Sequence, residues 1–369
     1  MLACYPLIAT AENWLHETLV SMIQTLHIAV EGGKPIVESQ IRWKALLPKQ
    51  LSDPILKDLA SSTGLRDRFF KYGNSIVSLS TQDRARILDI LVDQNRIPEL
   101  LNGTCAIPVI ENNLLGVRDA AYELFVFAFG KLTDFEVRKR QYQIIFNSLG
   151  NKICPFCGID RVMNPAETAQ DQDHYLAKSL YPFGATNMRN LVPMCSCCNR
   201  DYKKAQDVIN DQYGMRRVAI DPYDCIPIQI TLTGSDIDDI ASPPIPDWNV
   251  NFIPATQQAE TWDAVFNIRT RFKRDILNNY YGTWIEGFRS KCVMDRKKGK
   301  ILPNLSAVEI REVLADFKEY KEMSPSIGMA GFLEPLVFEL LLEKYDAGDV
   351  RVLDLIRDTV LGTDLETAG

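Results

Sequence analysis

Two short cysteine pairs constrain this chain more than any other feature. Cys154-Pro155-Phe156-Cys157-Gly158 is followed by Cys195-Ser196-Cys197-Cys198-Asn199, with 37 residues between Cys157 and Cys195. A C-x2-C turn folds the backbone back on itself and aims two thiolates at one ion, so two such turns complete a tetrahedral zinc site. The expected ligands are Cys154, Cys157, Cys195 and Cys198, with Cys197 a bystander between them. The gap is longer than in a simple zinc ribbon, so something is held between the knuckles. The chain has nine cysteines, an odd count. Together with the paired spacing, this favours thiolates on metal in a reducing compartment over a disulfide scaffold. A cytoplasmic location is expected.

The stretch between the knuckles contains Asp171-Gln172-Asp173-His174-Tyr175-Leu176-Ala177-Lys178-Ser179 and then Asn190-Leu191-Val192-Pro193-Met194. The chain has only three histidines. His16 and His27 fall in an apolar-periodic helix and read as structural. His174 follows an acid in a strand-like segment. Phosphodiester hydrolysis needs a base for water, a cation on the phosphate and help for the leaving oxygen. A neutral imidazole suits the first role near pH 7. Asp173 and Asn199 offer hard oxygens for one Mg²⁺ or Mn²⁺. Strand alternation sends Asp173 and His174 to opposite faces, so they share a site only where the strand twists or ends. Asp171, on the face of Asp173, is a weaker ligand candidate.

The run C-P-F-C-G, D-H-Y-L-A-K-S, N-L-V-P-M-C-S-C-C-N-R-D-Y-K-K, from Cys154 to Lys204, resembles the HNH endonuclease family in its zinc-stapled form. The resemblance implies a ββα-metal module in which a structural zinc holds the fold and one divalent ion serves catalysis. It implies His174 as general base, Asp173 as first metal ligand, and Asn190 as the residue that orients the loop and the histidine backbone. Asn199 stands where many members carry a last histidine, a variant that favours Mg²⁺-type ions. Ala177 replaces a common proline. Lys203 or Lys204, with Arg200 nearby, would contact phosphate. The activity implied is hydrolysis of nucleic-acid phosphodiesters, DNA ahead of RNA. The alternatives are an RNA-directed nuclease and a non-catalytic zinc-containing binding or scaffold subunit. Large flanks resemble those of bacterial antiviral or restriction effectors.

The rest of the chain sets the frame. Its 369 residues, 46% hydrophobic and 24% charged, exclude a disordered or fibrous protein. No apolar run approaches the roughly 18–20 residues of a membrane span. The N-terminus lacks the basic region of a signal peptide, so none is expected. The formal charge of −7 is unevenly spread. Residues 218–263 carry eight acids and no Lys or Arg, whereas 269–300 carry ten basic and three acidic side chains. Residues 304–369 carry fourteen acids against six basic side chains. The acidic segments suggest a protein partner or self-association. The basic stretch suggests phosphate contacts, with Arg296, Lys297, Lys298 and Lys300 foremost. Its aromatics read as core.

Periodicity predicts helices over 11–30 and over Thr81–Asn95, with a stripe of Ile87, Leu88, Leu91 and Val92, within a mostly helical 1–150 in which 117–129 is strongly apolar. Another helix is expected to open at a Thr133-x-x-Glu136 capping box. Strands are expected near 228–232 and 248–252, parted by a turn at Ser242-Pro243-Pro244. Further helices are expected over 259–293, 306–323, 329–345 and 350–360. The fold class is thus α+β and mostly helical: a helical region at 1–150, the cysteine-bearing module at 151–217, and a mixed region at 218–369.

Overall fold

The computed structural model describes residues 1–166, 172–237, 246–324 and 330–362. Asp171 and the expected Ser242–Pro244 turn lie outside these. The fold is mostly helical with small antiparallel sheets. No helix among the described residues is long and apolar enough to cross a membrane. The chain divides into two compact units. The first takes in Met1, Ala3–Phe156 and Arg161–Ile226; the second takes in Leu2, Cys157–Asp160 and Pro227–Gly369.

The first unit begins with α1 (Trp14–Glu31), whose Leu15, Leu19, Met22, Ile23 and Leu26 are buried at helical spacing as expected. Then come α2 (Gln40–Leu46), α3 (Asp53–Ser61) and α4 (Thr63–Val77). Ser39 caps α2 by accepting from the Arg42 N–H at 3.1 Å. Pro54 sits in the first turn of α3. Helix α5 (Thr81–Asp93) starts at Ser80, which accepts from the Asp83 N–H at 3.0 Å. Its stripe departs from expectation: Ile87, Ile90 and Leu91 are buried, whereas Val92 is 48% exposed. Helix α6 (Ile97–Asn102) stops at Gly103, whose φ of +80° suits glycine.

Helix α7 (Leu115–Asp134) packs on α4 and supplies the centre of the core. The expected capping box at Thr133 is not formed. Burial of α7 continues through Leu132, so the helix runs to Asp134, and α8 (Val137–Ser148) starts after Glu136 at a φ of +56° with no side-chain cap. The Thr133 hydroxyl instead accepts from Arg138 at 2.9 Å. Residues that follow α8 join the same core. Phe183, Ala185, Met188 and Leu191 belong to the cluster formed by α1, α4, α5 and α7. Phe183 packs edge-on against Tyr72 of α4 and Phe125 of α7, at 6.2 and 5.6 Å between ring centroids.

Two short strands, β1 (Gln172–His174) and β2 (Leu191–Pro193), pair antiparallel with Asp173 opposite Val192 and His174 opposite Leu191. The ends of this unit's chain close beside β2. The Tyr5 N–H donates to the Pro222 carbonyl at 2.8 Å, and the Tyr5 hydroxyl donates to the Pro193 carbonyl. Cys4 and Cys225 form a disulfide. The cysteine pattern favours thiolates on metal over a disulfide scaffold, and this pair departs from it: its partners stand 221 residues apart and become neighbours only in the fold.

In the second unit, β3 (Gln229–Thr231) pairs antiparallel with β6 (Asn251–Ile253), and β4 (Asp236–Ile237) with β5 (Pro246–Asp247). Strand β3 falls inside the expected 228–232, whereas β6 begins only at Asn251 and ends one residue past the expected 248–252. Helices α9 (Gln257–Phe266) and α10 (Ile268–Arg271) run through a π-helical turn at Phe272–Leu277 into α11 (Asn278–Lys297). Then follow α12 (Ala307–Met323), α13 (Leu333–Asp346) and α14 (Val350–Leu361). Ser306 and Glu309 form a complete capping box at the start of α12. Phe288, Phe317 and Phe338 make a mutual aromatic core, with centroids 4.8–5.8 Å apart. Tyr281, Trp284 and Phe288 of the basic stretch are buried, so they are core.

Candidate metal centre and adjoining site

The two knuckles meet. The sulfurs of Cys154, Cys157, Cys195 and Cys198 all lie within 4.8 Å of one another, and all four residues are buried. Zinc–thiolate bonds of about 2.3 Å give a tetrahedron with edges of roughly 3.8 Å, so small side-chain shifts close this set on one ion. Backbone amides reinforce the thiolates. The N–H groups of Ile159, Cys195 and Cys198 donate to the sulfurs of Cys157, Cys154 and Cys195, each at 3.4 Å. Gly158 completes the first turn at a φ of +65°, where a side chain would be strained. Cys197 stands outside the set. The four-cysteine group fits zinc by number, chemistry and closeness.

Strand β2 leads straight into Cys195, and Cys198 lies in the first turn of a π-helical segment, Cys197–Lys203. The metal group thus fixes both the strand pair and the following helix. The loop from Tyr175 to Asn190 is tied by Asn190, which is fully buried. Its Oδ1 accepts from the Leu176 N–H at 2.7 Å, and its Nδ2 donates to the Leu176 and Gly184 carbonyls at 3.0 and 3.1 Å. The Tyr175 N–H donates to the Asn190 carbonyl at 2.9 Å. All of these bonds hold the loop that follows His174.

His174 is 6% exposed. Its Nε2 lies 2.9 Å from the Ala185 carbonyl. A carbonyl can only accept, so Nε2 carries the proton and Nδ1 is the basic nitrogen of the neutral ring. Burial, with the Lys178 ammonium nearby, pushes its pKa down to about 3. Phe129 of α7 lies against the ring at 4.5 Å between centroids. The Arg138 guanidinium covers Phe129 at 4.3 Å, with the Lys178 ammonium at 5.7 Å.

The neighbours on β1 have different partners. Gln172 donates to Gln141 at 2.8 Å and accepts from Arg138 at 2.8 Å. Asp173 meets Lys203, whose ammonium lies 2.7 Å from Oδ2 and donates to the His174 carbonyl at 2.9 Å. Burial pushes the Asp173 carboxyl up, and the Lys203 ammonium opposes that shift. The Lys203 ammonium therefore bridges the Asp173 carboxylate and the His174 carbonyl. Asn199 is half-buried one turn before Lys203 on the π-helical segment.

The basic residues separate into distinct roles. Lys203, expected as a phosphate contact, is fully buried in its ion pair. Arg200 and Lys204 are exposed. Arg296, expected on an open cationic patch, is half-buried and donates to the Thr359 and Val360 carbonyls at the end of α14. Lys297 and Lys298 are exposed. Much of the remaining positive charge in that stretch is paired: Arg269 with Glu260 and Asp263, Arg274 with Asp275, and Lys291 with Asp295. Sequence reasoning missed Phe129, which is hidden in a uniformly apolar run, and assigned no role to Lys178.

Among the described residues the cysteines are the one cluster of His, Cys, Asp or Glu side chains gathered closely enough to hold a metal. Asp173 and Asn199 offer hard oxygens but bring no second carboxylate. No family model, curated protein or solved structure matches the chain.

Proposed function

We propose that residues Cys154–Lys204 form an HNH-type module that hydrolyses nucleic-acid phosphodiesters, DNA ahead of RNA. The observation that carries this reading is the setting of His174. It sits on a strand held between two cysteine knuckles, with Nε2 committed to Ala185 and Nδ1 left as the base. Nδ1 would take a proton from the attacking water. Asn190 holds the loop after His174 and so holds the ring's partner Ala185 in register. Lys178 and Arg138 would attract the phosphodiester. Their field also depresses the imidazole's proton affinity, and an anion placed beside them offsets it. A divalent ion, when bound at Asp173 and Asn199, would supply charge stabilisation to the phosphate.

A second reading is favoured by one observation. The Asp173 carboxylate has a buried counter-charge, Lys203, without metal, as expected of a zinc-held nucleic-acid-binding module that cleaves nothing. The two readings part in one experiment. Zinc-bound wild type and His174→Ala are incubated with supercoiled DNA, single-stranded DNA and RNA, with and without Mg²⁺. Mg²⁺-dependent nicking that falls by about 10²–10⁴ in His174→Ala supports the nuclease. Binding without cutting under all conditions, or equal cutting by both proteins, refutes it.

A further inference from the structure

Independently of any nuclease activity, we infer that the Cys4–Cys225 disulfide is a redox-sensitive strap on the metal module: closed, it holds β2 and the chain beside both cysteine knuckles in place; opened by a dithiol, it lets them loosen, and zinc is lost faster. Strand β2 pairs with β1, and two of its carbonyls also accept from tyrosine hydroxyls. Tyr223 donates to the Leu191 carbonyl and Tyr5 to the Pro193 carbonyl. Tyr5 adjoins Cys4, and Tyr223 stands two residues before Cys225. The two rings lie 5.8 Å apart between centroids, and the Tyr5 N–H donates to the Pro222 carbonyl at 2.8 Å. The disulfide thus ties together the two segments whose tyrosines hold β2.

The same tyrosines reach the surroundings of the metal group. Pro193 lies two residues before Cys195. The Tyr5 ring lies 6.3 Å from that of Phe156, which stands between Cys154 and Cys157. Tyr5 is therefore placed beside both knuckles. Tyr223 reaches β1 as well: its hydroxyl accepts from Gln141 at 3.0 Å, and Gln141 accepts from Gln172 at 2.8 Å. Tyr5, Tyr223, Gln141 and Gln172 are all buried, whereas Cys4 and Cys225 are half-buried and Asp224 and Ile226 beside them are exposed. A reductant can reach the bond from outside, and its loss is felt inside.

A dithiol opens the bond in two exchanges. One of its thiolates attacks a sulfur of the pair, forming a mixed disulfide and releasing the other cysteine as a thiolate that takes a proton. Its second thiol then displaces the remaining cysteine. The reductant leaves as a disulfide, and Cys4 and Cys225 have gained two electrons and two protons between them. A bond between residues 221 apart restricts the opened chain, so cutting it makes local opening of both segments more frequent.

The test follows zinc release from zinc-loaded protein to a chromophoric chelator, with the disulfide intact or reduced by a phosphine. Alkylation and peptide mass mapping verify the state of Cys4 and Cys225. Reduction is expected to speed zinc loss by about tenfold or more, and to raise hydrogen exchange over residues 191–195. Cys4→Ser should lose zinc at the reduced rate with or without phosphine. Tyr5→Phe/Tyr223→Phe keeps the disulfide but lacks both hydroxyl donors; it should lose zinc faster when oxidised and respond less to reduction. The wild-type comparison needs no variant and stands if either variant fails to fold. Dithiothreitol added to the native protein, with iodoacetamide as trap, should label Cys4 and Cys225.

Equal zinc release in the two redox states overturns the inference. So does a native disulfide that resists dithiothreitol, or a folded tyrosine variant whose response to reduction is undiminished. The nuclease reading fails separately, by the absence of cutting in wild type, and zinc release that ignores the disulfide leaves that reading untouched.

Discussion

In the first unit polar side chains are used inside: His16, His27, Gln94, Gln141, Gln172, His174, Asn190 and Lys203 are all buried. Most of them bond to backbone. Gln94 donates to the Pro108 carbonyl and accepts from the Phe183 N–H, each at 3.0 Å, and Gln141 donates to the Met188 carbonyl at 2.9 Å. In the second unit the interior is built mainly from apolar groups around Phe288, Phe317 and Phe338; Arg271 and Glu334 are buried there, Glu334 paired with Lys321, while other charges pair at the surface, as Arg311 does with Asp346. Exposed pairs of that kind contribute little to stability. The difference shows what a site demands. Loops that carry reactive groups have no regular ladder, so buried amides and one lysine replace it, each costly to leave unsatisfied.

The comparison is tested most severely by metal. Chelating zinc, or Cys154→Ser, should cost several kcal/mol or more in the strand pair and the following helical segment, because binding free energy there is folding free energy. Hydrogen exchange over residues 172–203 should rise sharply, while the Phe288–Phe317–Phe338 core should keep its protection. Cys197→Ser should retain zinc. Equal loss in both regions would end the distinction.

Acid should separate the units next. All three histidines belong to the first unit, and burial lowers their pKa values to about 4 for His16 and His27 and about 3 for His174. The unfolded chain takes up these protons below about 6.5, before the folded one does. Their contribution is complete above that pH and is lost as pH falls towards 4, on the order of 3 kcal/mol for His16 alone. In the second unit, Arg269 lowers Glu260, Arg274 lowers Asp275 and Arg311 lowers Asp346. That stabilisation persists above the ordinary carboxylate range and is lost only below it. Exchange measured between pH 7 and 4.5 should therefore loosen the first unit first; simultaneous loosening would refute this.

The smallest expected effect belongs to a single cap. Ser306→Ala removes the acceptor of the Glu309 N–H at the start of α12 and should cost about 1 kcal/mol. Calorimetry should show it in the second unit alone.

The sequence by itself determined the elements whose causes are local. The periodicity of Leu15 to Leu26 requires an amphipathic helix, the alternation around Ile230 and Phe252 suggests strands, and two C-x2-C turns offer four sulfurs to one ion. Tertiary structure decided what depends on residues far apart. Thr133 lost its capping role because α7 stays buried through Leu132. Cys4 found Cys225 across nearly the whole first unit. Lys203 reads as a surface cation in the sequence, and only the meeting of β1 with the π-helical segment turns it into the buried counter-charge of Asp173. Phe129 gives no signal in an apolar run, yet the His174 ring and two cations all lie against it. A pattern in sequence reports the periodicity of one element, whereas a partner is chosen by which elements share a core.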